Sequence, residues 1–423
     1  MRIALVAMNA SLNKGGESAR PLHYLQGLLQ RGHNVTLYTH SRVHDELLAD
    51  VPDLAQHCRF VDDTPLQRWA WRLGSWLPER AREFTVGQLV ALSTQRSIMR
   101  ALHALPETER PDVVHQINPI SPRAPSCVLS DCPVVIGPLN GDIDYPPAFR
   151  SREPFTDRLV VSLARPLAAG ANHAFPGKRD ARLVLVSNDR TRQALPVSPR
   201  GEVRTLTANA VDLSQWTHTV RHGPRERVRF VFLGRLVRFK CVDLLLEAFA
   251  SNKGLRDIAE IVVIGDGPQR ERLLKQARRL GVRDRTLFAG WIGHTRAIEV
   301  MLGCDAFVFP SLQDPGGAVV MEACAMGLPV ICADWAGPAE YLPRGAGLLI
   351  PVDDRDAYVE GLAQQMLRLA RDPDLRARLG RAAREGAVRE FGWSRRVEQL
   401  ELEYFGVLGT EPVPNPAGML AAG

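Results

Sequence analysis

Two acids of the second half of the chain stand on either side of a glycine pair. Asp314 precedes Gly316-Gly317, and Glu322 follows after a spacer of seven residues counted from Asp314. A helix that begins just after Gly-Gly presents free N–H groups and the positive end of its dipole, and glycine lets a phosphate approach the backbone. Two acids around a phosphate site suit a nucleotide sugar, which has a diphosphate centre and hydroxyl groups on both sides. The alternative is an ordinary βαβ unit with two solvated acids.

Two cations lie in an equivalent position earlier in the chain. Arg235 and Lys240 flank a turn that follows the predicted strand 229–234 and leads into a helix. Cations at a helix entrance, with the Asp314 loop expected beside them, would offset the charge of a diphosphate. Ordinary solvated charge is the alternative for this pair.

These residues need strands and helices to position them. Short apolar runs that end in glycine- or proline-containing turns alternate with helical patterns along the chain, which is typical of parallel α/β sheets. The sequence therefore predicts an α/β fold. The predicted strands, some with their turns, are 3–8, 33–39, 111–117, 133–141, 181–187, 229–234, 260–268, 286–293, 306–310, 328–332 and 348–352.

Composition restricts the class of protein. The chain has 423 residues, 45% of them hydrophobic, and a net charge of +6, which favours a soluble globular protein of two domains and anionic ligands or surfaces over nucleic acid. Seven cysteines without a C-x-x-C pair indicate a reducing cytoplasm, and no apolar run is long enough to cross a membrane. The first apolar run reads as a strand, so we expect no signal peptide.

The acid spacing resembles the E-x7-E signature of retaining glycosyltransferases of family 4, in the subset that has Asp-x-Gly-Gly in place of Glu-x-Phe-Gly. The resemblance covers nearly the whole chain and implies the GT-B fold, in which two Rossmann-like domains face a central cleft. It implies an acceptor-side domain over 1–215, a nucleotide-sugar-binding domain over 216–390, and a C-terminal helix over 391–423 that crosses back and ends in a loose tail. The interdomain linker is expected within 217–227.

The resemblance also implies roles for matched residues of the first domain. Gly15 and Gly16 match a Gly-Gly loop that faces the donor diphosphate, and His115 matches a histidine that lies close to the donor sugar. Gly137-Pro138 matches a loop on the acceptor side. From the residues alone, a plain βα turn and a structural histidine are equally open alternatives.

In the second domain, Arg235 and Lys240 match a Gly-Arg-Leu…Lys-Gly motif, and the resemblance implies that they hold the diphosphate and stabilise the leaving group. Asp314 would orient the hydroxyls of the donor sugar, and Glu322 would bind the ribose. The N–H groups from Gly316 to Val320 would replace a metal ion. The residues expected to bind the nucleotide sugar in this domain are Gly265, Asp266, Gly267, Gly316, Gly317, Ala318, Val319 and Glu322.

The resemblance thus implies a retaining glycosyltransferase that uses a nucleotide-diphosphate sugar as co-substrate, with no cofactor and no metal, in bacterial surface glycan or glycolipid synthesis. Asp142 and Asp144 form a D-x-D, but such a pair in a loop is common by chance. A nucleotide-sugar epimerase of the same fold is one alternative, although the acids and histidine it would need at the sugar carbon are missing. A catalytically silent binding protein is another.

The expected partners are a nucleotide-sugar donor and a saccharide or lipid-linked acceptor, with no nucleic acid. Tryptophans and arginines alternate over 66–82, and 150–178 is basic and partly amphipathic. Both stretches are candidates for peripheral contact with the inner membrane or for acceptor contact, and tryptophans that pack into the first domain are the alternative for 66–82. A cytoplasmic location, with possible attachment to the cytoplasmic membrane face, is therefore expected.

Overall fold

The computed structural model describes residues 1–12, 16–74, 83–216 and 226–411. The chain folds as two compact units. Unit 1 takes residues 1–142, 155–209 and the chain from 393 onward, and unit 2 takes residues 143–154 and 210–392. These borders differ from the predicted 1–215, 216–390 and 391–423 mainly because 143–154 packs with unit 2. Gly15 and most of the predicted linker lie outside the described residues.

Unit 1 is built on a seven-stranded parallel sheet in the order β3-β2-β1-β4-β5-β6-β7. The central strands are buried on both faces, as expected for a parallel sheet covered by helices on each side. The strands are β1 (Arg2–Val6), β2 (Asn34–His40), β3 (Cys58–Val61), β4 (Val113–Gln116), β5 (Val134–Leu139), β6 (Leu183–Val186) and β7 (Glu202–Thr205).

Two layers of helices cover this sheet. The helices of unit 1 are α1 (Gly16–Gln30), α2 (His44–Asp50), α3 (Pro52–Ala55), α4 (Pro65–Gly74), α5 (Gln88–His103), α6 (Phe155–Ala174), α7 (Gly177–Asp180), α8 (Asp189–Gln193) and, from the end of the chain, α17 (Trp393–Leu408). One core cluster joins alternate strand residues to α1, α2, α3 and α17, and a second cluster joins the other strand face to α5. The C-terminal helix therefore completes unit 1.

Unit 2 has a six-stranded parallel sheet in the order β10-β9-β8-β11-β12-β13. Its strands are β8 (Val228–Leu233), β9 (Ala259–Ile264), β10 (Thr286–Gly290), β11 (Ala306–Phe309), β12 (Val330–Ala333) and β13 (Gly347–Ile350). Its helices are α9 (Val242–Ser251), α10 (Lys253–Ile258), α11 (Arg270–Arg279), α12 (His294–Leu302), α13 (Ala318–Ala325), α14 (Ala336–Glu340), α15 (Arg355–Arg371) and α16 (Pro373–Glu390).

The strand order in each unit reverses direction once, which is the Rossmann arrangement. The reversal lies between β1 and β4 in unit 1 and between β8 and β11 in unit 2. Ligands of open α/β sheets bind outside the carboxyl ends of the strands at such switch points. The predicted α/β class is confirmed, and the structure fixes where in each unit a ligand site is expected.

Candidate active site

The loops after β8 and β11 meet at the switch point of unit 2. The backbone N–H of Leu312 donates to Phe239 O at 3.0 Å, and the Ser311 hydroxyl donates to the same carbonyl at 3.2 Å. These bonds join the loop that carries Arg235 and Lys240 to the loop that carries Asp314. The cations and the first acid, which lie far apart in the sequence, are thereby brought to one end of the sheet.

The Lys240 ammonium forms an ion pair with the Asp314 carboxylate, and each side chain is only 13% exposed. The other carboxylate oxygen, Oδ1, accepts the N–H of Gly316 at 2.9 Å and of Gly317 at 3.0 Å. Burial opposes the charge of Asp314, but Lys240 and the two amides outweigh it and hold the pKa of Asp314 below its ordinary value. Asp314 is therefore an ionised anchor that fixes the position of the Lys240 ammonium.

This anchoring changes the expected role of the helix entrance. Gly316 and Gly317 donate to Asp314, and Val320 N–H donates to Gly317 O at 2.8 Å, so these three amides are occupied. Only Ala318 and Val319, in the first turn of α13, have N–H groups without an acceptor among the described residues. The sequence-based expectation of a row of free amides from Gly316 to Val320 is reduced to these two.

Gly317 must be a glycine for two reasons. Its φ of +51° lies in the left-handed region, and a Cβ would lie 2.9 Å from Tyr341 Cδ2 and 3.1 Å from the backbone of Gly337. Gly337 also donates its N–H to Asp314 O at 3.1 Å. The loop ahead of α13 is thus clamped between Asp314 and the start of α14.

Glu322 lies one turn into α13 and is partly buried. Its carboxylate makes no hydrogen bond to any residue that the structure describes. Burial raises the pKa of Glu322 to about 7. A half-buried carboxylate without a protein partner is typical of a group that meets a ligand.

Arg235 is exposed, and its guanidinium forms no ion pair or hydrogen bond within the described part of the chain. Lys240 lies close to the backbone that precedes Arg235: its Cε is 4.0 Å from the position that a Cβ on Gly234 would take. The Lys240 ammonium also lies 4.5 Å from the ring centroid of Phe309. The structure therefore joins Lys240 to Asp314 by direct contact. Arg235 and Glu322 remain available to a ligand.

Cys241, which follows Lys240, adopts a left-handed backbone conformation with a φ of +54° and is the N-cap residue of α9. Its side chain is fully buried, and Sγ lies 3.4 Å from Phe239 O. A non-glycine residue in this conformation carries backbone strain and is retained only where its surroundings hold it. Here the strain accompanies the sharp turn that places Lys240 at the helix entrance.

The glycines of 265–267 have a structural reason for their identity. A Cβ on Gly265 would lie 2.0 Å from Gly234 O, and a Cβ on Gly267 would lie 2.6 Å from Leu236 O. Asp266 is exposed, and its carboxylate accepts the N–H of Gly267 at 2.6 Å. Close packing of the loops after β8 and β9 requires both glycines, and their expected contact with the nucleotide stays a prediction.

Residues 143–154 were not predicted to take part in this region. Gln313 Nε2 donates to Ile143 O at 2.7 Å, and Trp335 Nε1 donates to Asp144 O at 3.2 Å. Tyr145 and Phe149 are buried in the core of unit 2. The aromatic residues and prolines of this stretch are the sequence signal that it packs rather than loops freely, but its address in unit 2 comes from the fold.

The histidine of unit 1 is enclosed. His115, on β4, has no exposed surface, its Nε2 donates to Gly137 O at 2.7 Å, and its Nδ1 lies 2.6 Å from the Tyr404 hydroxyl of α17. Burial lowers the pKa of His115 to about 4, so the ring is neutral. Both nitrogens have protein partners, which favours a structural role over the expected contact with the donor sugar.

The other predicted residues of unit 1 are less informative. Gly16 begins α1 with no neighbouring atom within 4 Å of a built Cβ, and Gly15 is outside the described residues. Asp142 is held by the Arg123 guanidinium through two bonds of 2.7 Å.

In the described ranges no group of three or more His, Cys, Asp or Glu is arranged to hold a metal ion, and no helix there is long and apolar enough to cross a membrane.

Comparisons with known proteins show which sequences and folds this chain resembles. Residues 215–386 match the family described as Glycosyl transferases group 1. The chain is 28% identical over 212 residues to the glycogen synthase of Mycobacterium tuberculosis, covering 50% of both chains. It is 34% identical over 160 residues to the lipopolysaccharide core biosynthesis glycosyltransferase LpsE of Rhizobium meliloti, covering 38% of this chain and 44% of that protein.

A solved structure of HepE from Anabaena, in complex with UDP-glucose, superposes with a TM-score of 0.62 at 18% identity and covers 96% of this chain and all of that one. The predicted GT-B fold class is confirmed by this likeness. The residues that match the group 1 glycosyl transferases lie almost entirely in unit 2. The alignment spans about half the length, or less, of the two curated relatives.

Proposed function

We propose that the protein is a retaining glycosyltransferase that takes its sugar from a nucleotide-diphosphate donor bound at the switch point of unit 2. The observation that carries this proposal is the Lys240–Asp314 pair beside the entrance of α13, where two amides and the Glu322 carboxylate have no partner within the described residues. A fixed cation, a helix N-terminus and an available carboxylate match a diphosphate attached to a ribose. The match of residues 215–386 to the group 1 glycosyl transferases supports the same function.

Each group has a distinct role in this proposal. The Lys240 ammonium and the Arg235 guanidinium offset the charge of the diphosphate and stabilise it as it leaves, and the amides of Ala318 and Val319 add two donors. Glu322 accepts hydrogen bonds from the ribose hydroxyls. Asp314 acts through Lys240, because its carboxylate is already engaged with that ammonium and with two amides.

The bond changes follow from the retaining chemistry of the family. The bond from the anomeric carbon to the diphosphate oxygen breaks, and a bond to the acceptor oxygen forms on the same face of the sugar. The acceptor proton passes to the leaving phosphate oxygen. Cations placed in advance where charge develops lower the barrier of such a step without reorganising during the reaction.

The finer assignments are part of the proposal. A UDP-sugar donor is supported by the fold likeness to a protein solved with UDP-glucose, and a surface glycan or glycolipid acceptor is supported by the lipopolysaccharide relative. A cytoplasmic location, with possible attachment to the cytoplasmic membrane face, is also part of the proposal. Gly265, Asp266 and Gly267, in the loop after β9, are proposed to lie beside the nucleobase.

A panel of nucleotide sugars tests the proposal by thermal shift, since a ligand that binds only the native state raises the unfolding midpoint. We expect one donor to raise the midpoint of the full chain and to release free nucleotide in a hydrolysis assay. Binding without release would indicate a silent binding protein, and conversion of the sugar with the nucleotide still attached would indicate an epimerase. No shift with any nucleotide sugar would contradict the proposed donor site.

A further inference from the structure

The long helix α6 of unit 1 shows an inverted pattern. Leu159, Leu163 and Leu167 follow one another every fourth residue and are 49%, 59% and 74% exposed. Residues at this spacing share one helix face, and these three extend over about 12 Å at the rise of an α-helix. We call them the leucine face. A surface helix of a soluble protein normally turns such a row toward the core.

Two polar residues of α6 contact the rest of unit 1, whereas Thr156, Arg158, Ser162 and His173 are exposed. Asn172 is 1% exposed, and its Nδ2 donates to Arg123 O at 2.8 Å. Arg165 pairs with Asp142 at 3.6 Å, and Asp142 is also held by Arg123. The helix is therefore anchored by polar contacts and leaves its apolar side outward, which indicates that the leucine face is kept for a partner.

The helix α6 belongs to a layer of three helices that is rich in arginine. The Gln67 amide of α4 donates to Thr94 Oγ1 of α5 at 2.7 Å, and the Arg96 guanidinium of α5 lies 5.4 Å from the ring of Phe175, just after α6. Right-handed crossovers also place α5 and α6 on the same face of the sheet. We call α4, α5 and α6 the arginine layer. Its charged residues are Arg68, Arg72, Arg96, Arg100, Arg158, Arg165 and a single acid, Asp157.

The helix layer on the other face of the same sheet has the opposite net charge. The arginine layer has six arginines against one acid, a net charge of +5, whereas α1, α2, α3 and α17 have three arginines against eight acids, a net charge of −5. The arginine layer also exposes Leu66, Trp69 and Leu89 by more than half, in addition to the leucine face. Exposed apolar residues and positive charge therefore coincide on one side of unit 1.

We infer that the arginine layer docks on an anionic lipid surface, with the leucine face inserted among the lipid headgroups. Leucine and tryptophan beside arginine are the residues that bind a membrane interface, where apolar insertion adds to attraction by acidic lipids. This inference rests on the surface of unit 1 and is independent of the proposed donor chemistry.

A second copy of the chain fits the same surface less well. A stable protein interface buries about 800 Å² on each partner, whereas three partly exposed leucines supply a patch on the order of a few hundred Å². Two copies that packed through this layer would also bring two surfaces of like charge together. A lipid surface needs only shallow insertion and supplies the opposite charge.

Sedimentation with vesicles tests the inference on the full chain. We expect binding to phosphatidylcholine vesicles that contain phosphatidylglycerol, little binding to phosphatidylcholine alone, and release at high salt. Changing Leu163→Gln with Leu167→Gln should weaken binding about tenfold because it removes the insertion. Changing Arg96→Gln with Arg100→Gln should weaken it about tenfold for the acidic vesicles only.

The acid-rich layer supplies the matched control. Leu48 and Leu402 are 49% and 51% exposed on α2 and α17, so Leu48→Gln with Leu402→Gln removes two exposed leucines from the opposite side of the sheet and should leave binding unchanged. All variants change exposed residues, and equal unfolding midpoints check that they fold. The inference is overturned if the full-length protein does not sediment with acidic vesicles, or if the control variant loses as much vesicle binding as the leucine variant. It is also overturned if the protein forms a dimer that dissociates in the leucine variant.

Discussion

The two sheets of the molecule have the same switch-point topology, but the ionisable groups near them differ in how completely they are hydrogen-bonded. In unit 1, His115 is fully buried, and both of its ring nitrogens have protein partners. In unit 2, Lys240 and Asp314 form an ion pair whose side chains are each 13% exposed, and Glu322 lacks a partner among the described residues. Completed hydrogen bonding is typical of structure, and incomplete hydrogen bonding is typical of a binding site.

His115 and Glu322 should contribute to the pH dependence of stability with opposite signs. The pKa of His115 falls from 6.5 to about 4 on folding, so the unfolded chain binds more protons between these values and stability is lost as pH falls through them. The pKa of Glu322 rises from 4.5 to about 7, so the folded chain binds more protons there and stability is lost as pH rises. The structural group and the ligand-ready group thus oppose each other in the same pH range.

Of the changes considered, Lys240→Met in unit 2 should reduce activity the most. It removes the cation that meets the diphosphate, so kcat/KM should fall about 100-fold to 1000-fold. It also leaves the Asp314 carboxylate buried without its partner, which should lower the unfolding free energy by about 2–3 kcal/mol. Donor-hydrolysis kinetics and urea denaturation measure the two effects.

Lys275→Met is the control for this variant, because Lys275 is an exposed lysine on α11 of the same unit. It should change neither activity nor stability. Activity of Lys240→Met within threefold of the original would contradict the assignment of the site.

Changing His115→Leu tests the unit 1 side. The Tyr404 hydroxyl and the Gly137 carbonyl would lose their buried partner, so the unfolding free energy should fall by about 2–4 kcal/mol. Tyr404→Phe removes one of these bonds and should cost about 1 kcal/mol. Calorimetry on the folded variant should give an unchanged donor affinity, and a tenfold loss would mean that the ring contacts the donor after all.

Changing Glu322→Gln should separate stability from binding. At pH 8 the variant should be more stable by about 1–2 kcal/mol, because the buried charge is gone, whereas at about pH 4, below the unfolded pKa, the difference should vanish. Donor affinity should fall about tenfold with the loss of a charged acceptor. Glu385→Gln, an exposed glutamate of the same unit, is the control, and a uniform effect at both pH values would exclude a raised pKa of Glu322 as the cause.

Changing Asp142→Asn should have the smallest effect. The φ of +56° at this position suits asparagine, so the change mainly removes the charge that Arg123 holds, at a cost of about 1 kcal/mol. Urea denaturation measures this loss. Donor hydrolysis by the original chain should not respond to a chelator, and activity that a chelator abolishes and Mn²⁺ restores would show that the D-x-D holds a metal.

Most of the strands that the sequence predicted are central strands buried on both faces, and β10 and β13, the edge strands of unit 2, were predicted as well. β11 and β12 are short apolar runs without an exposed residue, and they were found within a residue or two of their ends. β3 and β7 were missed because they form the two edges of the unit 1 sheet and each leaves part of its length open. An edge strand does not need an apolar run: β3 and β7 contain charged residues, whereas the predicted edge strands β10 and β13 contain none.

The candidate site was predictable as a set of residues but not as a set of contacts. The Gly-Gly turn, the helix after it and the nearby charges follow from local sequence. The Lys240–Asp314 pair joins residues 74 positions apart, and it exists because β8 and β11 are neighbours in the sheet. The enclosure of His115 likewise needs Tyr404, which α17 brings from the other end of the chain.

The sequence alone determined the alternation of strands and helices, the glycine-bearing turns and the choice of charged residues, because these depend on hydrophobic period and on backbone freedom within a few residues. Only the tertiary structure decided which charges are neutralised, which amides are occupied and which leucines face outward. Those properties depend on burial and on partners distant in the chain, and burial sets whether a polar group is satisfied or left for a ligand.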